Sequence, residues 1–341
     1  MDWGRKGAAA KQQDIDRAWR RSLRAAVARD WAAAETWLER IVEADTSDLD
    51  AYHALARLYR EQGSVDRAIR MHQNLLLRPD LDRANRSEAL LELARDFETG
   101  GFHERAVASY EEVLDAEPRN AIVLERLISL VRELRDYNRA LVLVRRLRRR
   151  DREKADGFEV EILLAQAQAC VVEGDHDGAR QALRRCLRRD KNCGRGWALL
   201  GELEVERGKD ARAQNAWMRG AAAAAFLSAE LYPKIGASFA ARGKPAAYEK
   251  YLRGILEDRP QDHAARIALA RTLSSRGETS LAIEELARAI EVAPDHMGLR
   301  SELGRQLLAS GQEAEAVKAY ASLLDVLERR PPDTLPVETI D

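Results

Sequence analysis

The residues able to do chemistry are few and scattered. Three cysteines, Cys170, Cys186 and Cys193, are an odd number in 341 residues. They cannot form a closed disulfide framework, and they point to a reducing compartment. Cys186 and Cys193 stand seven apart, a spacing that fits no common zinc pattern. The six histidines, His53, His72, His103, His176, His263 and His296, are never four residues from one another. A helical pair of metal-binding imidazoles is therefore not encoded. Neither a Gly-x-Ser-x-Gly elbow nor a phosphate-cradling glycine loop occurs. The sequence predicts a protein that is not an enzyme and takes no metal or cofactor. Cys170 and Cys186 read as small buried hydrophobes, and Cys193 as a loop residue. His72 reads as a packing or interface residue, and His103 and His176 as solvated turn residues.

Arginine is the remaining functional resource. Two runs stand out, one at 145–150 and one at 184–189. Both close a helix, where cations complement the negative end of the macrodipole. Facing outward, they would also suit an acidic partner or the anionic inner leaflet of a membrane. Nucleic acid is disfavoured twice over. The runs lack interleaved aromatics, and 56 Lys+Arg against 57 Asp+Glu leave a formal charge of -1, too little for binding by bulk positive charge.

The elements that carry these residues follow from composition and repeat. Charged residues make up 33% and aromatics 6% of a chain with 20 Gly and 9 Pro, which favours helix throughout. No window approaches the ~18 uncharged apolar residues of a membrane helix. The first residues have no apolar signal region, so a soluble cytoplasmic protein is expected. Gly63 is followed five residues later by Ala68. The same pair recurs as Gly101/Ala106, Gly174/Ala179, Gly208/Ala213, Gly277/Ala282 and Gly311/Ala316. Leu55-Ala56, Leu93-Ala94, Leu200-Gly201, Leu269-Ala270 and Leu303-Gly304 each stand eight residues earlier, and Pro118, Pro260 and Pro294 close three units. The small residues allow two helices, A and B, to cross closely. The glycine ends helix A where a positive φ is needed, and the proline stops helix B.

This is the 34-residue tetratricopeptide pattern. With the alanine set at position 20, repeats start at 15, 49, 87, 121, 160, 194, 229, 263 and 297. The fold class expected is all-α, a tetratricopeptide α-solenoid of nine hairpins over 15–330, wound as a right-handed superhelix with a concave groove. Residues 1–14 are expected to be a juxtamembrane-like segment and 331–341 a disordered tail. Insertions fall near 79–85 and 151–157 and should lengthen the loops between repeats. Two repeats depart from the pattern, with Arg135 at the turn glycine and Tyr248 at the alanine.

Such solenoids bind partners with positions 2, 5, 6, 9, 12 and 13 of helix A. Here those positions supply Arg57, Arg60, Arg95, Arg126, Arg132, Arg271 and Arg305, interspersed with acids including Glu92 and Glu302. The groove is thus of mixed charge. Position 9 never holds asparagine, so the Lys/Asn clamp for a chaperone C-terminal carboxylate is missing. Charge reversal at Arg57 and Arg95 is expected to weaken partner binding without unfolding the chain.

The segment from Gly63 to Gln73, with Asp66, Arg67, Arg70, His72 and Gln73, resembles the lipopolysaccharide assembly protein B family. Glu43-Ala44-Asp45-Thr46, Arg95-Asp96-Phe97, Asp190-Lys191-Asn192, Gly243 to Tyr248 and the register of the two insertions are similar to it as well. The resemblance implies an adapter on the cytoplasmic face of the inner membrane. It implies as partners the lipid A-pathway deacetylase, a membrane-bound AAA protease and lipopolysaccharide assembly proteins. The family carries an N-terminal membrane helix and a C-terminal rubredoxin-like domain with two Cys-x-x-Cys knuckles. Here Trp3-Gly4-Arg5-Lys6 resembles the stretch following such a helix, and no cysteine follows Cys193. The alternative reading is a generic scaffold of another envelope, secretion or motility complex. Self-association and peripheral contact with anionic membrane stay open.

Overall fold

A computed structural model describes residues 3–328, with side chains from residue 11 onward. The tail at 331–341 and the side chains of the first ten residues lie outside the described residues. The described residues form eighteen α-helices in nine hairpins, the odd-numbered helix of each pair being A and the even-numbered one B. The first four hairpins are α1 (Trp3–Val27) and α2 (Trp31–Ala44), α3 (Leu49–Glu61) and α4 (Val65–Leu76), α5 (Arg83–Thr99) and α6 (His103–Ala116), and α7 (Ala121–Glu133) and α8 (Tyr137–Leu147). The fifth and sixth are α9 (Arg152–Val172) with α10 (His176–Arg189) and α11 (Gly194–Glu206) with α12 (Asp210–Ala223). The last three are α13 (Ser228–Ala241) with α14 (Pro245–Asp258), α15 (His263–Ser275) with α16 (Thr279–Val292), and α17 (Met297–Ala309) with α18 (Glu313–Glu328). Among the described residues none is in a strand, and no helix is long and apolar enough to cross a membrane.

The helices begin and end for local reasons. Asp30, Asp48, Asp82, Asn120, Asp136, Asp175 and Asp262 each cap a helix by accepting a hydrogen bond from the backbone N–H three residues on. The turn of the second hairpin shows the glycine requirement: Gly63 sits at φ 78°, a conformation that costs other residues about 1–2 kcal/mol. The fourth hairpin makes the same turn with Arg135 at φ 59°. The backbone turn is thus kept where the residue type is not.

Ala56 and Ala68 are both fully buried at the crossing of α3 and α4. In later hairpins a glycine on helix A admits a large ring from helix B. A Cβ on Gly201 would lie 2.3 Å from the Trp217 indole, and one on Gly236 would lie 2.6 Å from the Tyr248 ring. Tyr248 therefore replaces the expected alanine by using space that Gly236 vacates.

The insertions mainly lengthen helices, although the link from α4 to α5 has six residues, 77–82, against four, 45–48, from α2 to α3. α5 has 17 residues against 13 in α3, so the four extra residues add one helical turn. They start the helix at Arg83, where Asp82 caps it. α9 is likewise extended to 21 residues. The single-residue insertion ahead of the seventh repeat becomes a 3₁₀ turn, Ala225–Leu227.

The chain divides into two compact units, 1–162 and 163–341. In the first, B helices pack on the following A helix, and α3 lies beside α5. Its N-terminal core is built from Ile15, Leu38, Ile41, Leu55 and Tyr59. In the second, α13, α15 and α17 lie side by side. Leu231, Tyr232, Ile235, Leu269 and Leu286 fill the space between hairpins.

Candidate functional site

The A-helix face of the second and third repeats holds a buried ionic network. His53, Arg57 and Arg60 occur at steps of four and three along α3, so they share one stripe. Glu92 and Asp96, four apart on α5, face that stripe. His72 enters between them from α4. Arg57 Nη2 donates to Glu92 Oε1 at 2.9 Å, and Arg60 bridges both acids, at 2.9 Å to Glu92 Oε2 and 2.7 Å to Asp96 Oδ1. Arg95 donates to Glu92 Oε1 at 2.5 Å. His72 Nδ1 lies 2.5 Å from Asp96 Oδ2, and its Nε2 lies 3.1 Å from His53 Nδ1.

The Glu92 side chain is 1% exposed and Arg60 14%, whereas Arg57 is 50% exposed. Burial works against the charged form of Glu92. The hydrogen bonds and charges of Arg57 and Arg60 outweigh it and bring the carboxyl down to about 2. Burial, then the neighbouring His72, pushes His53 below the usual imidazole range.

The second unit repeats the arrangement. Glu302 on α17, 1% exposed, accepts from Arg271 Nε on α15 at 2.9 Å. It also accepts from Arg305 and, at 2.7 Å, from Gln306 Nε2. In both places an arginine at position 9 of consecutive repeats flanks a glutamate at position 6 of the later one. Those are the two consecutive repeat pairs with arginine at position 9. The pattern is therefore present in the sequence, but it becomes visible only when residues more than thirty apart are read together.

The predicted groove residues thus divide. Arg57, Arg95, Arg271 and Arg305 present guanidinium edges on the A-helix face, each held from behind by a buried carboxylate. Arg60 and Glu92 lie buried between α3 and α5, joined by an ion pair at 2.9 Å. Arg126 pairs with Glu98 at 3.6 Å, and Arg132 pairs with Glu161. Reversing Arg57 or Arg95 would set a second carboxylate against Glu92, so reversal is expected to cost stability as well as binding. Neutral glutamine at those positions keeps a donor for Glu92.

The motif on α4 is likewise split. Asp66 and Arg70 form an exposed i,i+4 pair at 2.5 Å, and Gln73 is exposed. Arg67 covers the Tyr59 ring at 3.8 Å and pairs with Glu35 at 2.8 Å. His72 alone turns into the network, fully buried. Of the turn histidines, His176 pairs with Glu206 at 2.9 Å, while His103 is half-buried rather than solvated.

This arrangement orients cations. Among the described residues no hydroxyl or thiol is hydrogen-bonded to His53 or His72. The cysteines lie elsewhere. A hydrogen bond from Cys186, and one from the Gly196 backbone N–H, bring the Cys193 thiol to about 7 against the effect of burial. Cys193 precedes α11 as its N-cap residue and is buried, which a loop position alone does not suggest. Among the described residues no three His, Cys, Asp or Glu side chains group as a metal site.

Models of the tetratricopeptide repeat match residues 51–87, 91–155, 160–203 and 267–333. Lipopolysaccharide assembly protein B of Escherichia coli strain K12 is 24% identical over 295 residues, spanning 86% of this chain and 75% of that protein. The protein of the same name from Haemophilus influenzae is 29% identical over 164 residues, 47% of this chain and 40% of its own length. Among solved structures, a crystal structure of MamA protein aligns with a TM-score of 0.35 at 23% identity, covering 52% of this chain and 97% of that one. By the repeat matches and the hairpins that carry them, the chain belongs to the tetratricopeptide-repeat proteins, with a repeat region similar to that of lipopolysaccharide assembly protein B.

Proposed function

We propose that the chain is a non-enzymatic adapter that holds a partner protein on its A-helix face. The observation that carries this reading is the pair of guanidiniums, Arg57 and Arg95, fixed by buried Glu92 while half of Arg57 faces solvent. An arginine has five N–H donors, and Glu92 takes one from Arg57 and one from Arg95. The remaining donors suit carboxylates and backbone carbonyls of a bound segment. Because their rotamers are already held, little side-chain entropy is lost on binding.

The likeness to lipopolysaccharide assembly protein B supports a place in lipopolysaccharide biosynthesis. In this reading the chain presents the lipid A-pathway deacetylase to a membrane-bound AAA protease at the cytoplasmic face of the inner membrane. Deleting the gene and following the deacetylase by pulse-chase tests it. The expected result is a longer deacetylase half-life with raised lipopolysaccharide. Unchanged half-life and unchanged lipopolysaccharide would refute it.

A further inference from the structure

A second site lies in the 163–341 unit, away from the A-helix arginines. It is a pocket of about 550 Å³ formed by the C-terminal turns of α10 and α12, the first turns of α11 and the loop before it. Four cations line it, Arg184, Arg188, Lys191 and Arg219, and no carboxylate does. Its wall is apolar, formed chiefly by Trp197 and Leu200, both half-buried. The indole is fixed in place. Trp197 Nε1 donates to the Lys191 carbonyl at 2.8 Å, and the Arg219 guanidinium lies 4.8 Å from the ring centre.

The absence of counter-charge sets this pocket apart from the A-helix face. Arginines elsewhere are matched repeatedly, as Arg57, Arg60, Arg67, Arg132, Arg148 and Arg271 show. Among the described residues, none of the four pocket cations has an ion-pair partner. The ends of α10 and α12 account for some of this, since a helix C-terminus carries roughly half a negative charge. Two helix ends therefore offset about one cation of four, and the remainder has no ion-pair partner among the described residues.

We propose that this pocket binds a short acidic peptide segment of a partner protein, one that inserts a large apolar side chain between flanking carboxylates. The volume lies within the usual ~300–1,000 Å³ of a ligand pocket, and the wall of Trp197, Leu187, Leu200 and two alanines offers room for a single large side chain. A paired acyl chain would need a longer apolar surface. The cations at the rim meet carboxylates on either side of that anchor. Guanidiniums are the suited donors because they bind carboxylates bidentately.

The test uses a fluorescein-labelled peptide, Gly-Asp-Glu-Phe-Glu-Asp-Gly, with its amide counterpart Gly-Asn-Gln-Phe-Gln-Asn-Gly, titrated against the whole chain by fluorescence anisotropy. Vesicles of phosphatidylcholine with or without phosphatidylglycerol form a parallel arm. The expected result is saturable binding of the acidic peptide alone, weakened at least about tenfold by Arg188→Gln with Arg219→Gln and several-fold by Trp197→Ala. Arg57→Gln with Arg95→Gln should leave it unchanged, which separates this site from the A-helix face. Equal binding of the amide peptide, or binding indifferent to Arg188→Gln with Arg219→Gln, would overturn the proposal. So would retention on phosphatidylglycerol vesicles without peptide binding, which would assign the patch to a membrane surface.

Discussion

Glu92 illustrates how one residue organises the A-helix face. It is buried, yet it stays charged because Arg57 and Arg60 reach it from α3 and Arg95 from its own helix. Removing its charge leaves Arg57 and Arg95 without their buried carboxylate, while the more buried Arg60 keeps only Asp96. Glu92→Gln should destabilise the protein by about 3 kcal/mol, measurable by urea denaturation. The pH dependence has a defined sign. The folded carboxyl lies at about 2 against an ordinary 4.5. Its contribution is complete above the unfolded value and is lost as pH falls from about 4.5 towards 2. In Glu92→Gln that component of the acid dependence should disappear. Arg135 makes the opposite case: it holds φ 59° where seven hairpins have glycine and the first has Arg29 at φ 56°. Arg135→Gly should stabilise the fold by about 1 kcal/mol, read as a higher urea midpoint at unchanged slope.

Among the elements, the A–B crossings are the most exacting. Ala68 and Ala213 are fully buried there, and a larger side chain must push the crossing helices apart. Ala68→Trp or Ala213→Trp should cost about 1–3 kcal/mol or more, seen as a lower melting temperature. These positions are legible from sequence because one steric reason acts at one fixed spacing. Helix length is less legible. Pro79 and the polar residues after it read as loop, but Asp82 caps a helix at Arg83, and the four-residue insertion becomes a turn of α5. An insertion close to a whole turn leaves the helix face in register. Glu92 and Asp96 therefore still meet α3.

Across the whole chain, nine hairpins are readable from the repeat, and the functional face only partially. The alanines, glycines and leucines announce themselves within a single repeat. The Arg57–Glu92–Arg95 and Arg271–Glu302–Arg305 clusters join residues of two repeats, so no local window contains them. Repeat position alone singles out the arginines as contacts, and the structure then places Arg60 and Glu92 buried between α3 and α5. His72 reads as packing or interface and proves to be a hydrogen-bonded member of the same network. The basic run at 184–189 reads as a helix end; only the pocket geometry shows that Arg184 and Arg188 share a cavity with Trp197.

The central claim is that the A-helix face captures a partner through preset arginines. Its most direct measurement is quantitative capture of the lipid A-pathway deacetylase by the wild-type chain and by Arg57→Gln with Arg95→Gln, with melting temperatures recorded for both. The account predicts that capture falls at least about tenfold while both proteins remain folded at the assay temperature. Equal capture by the two proteins would contradict it.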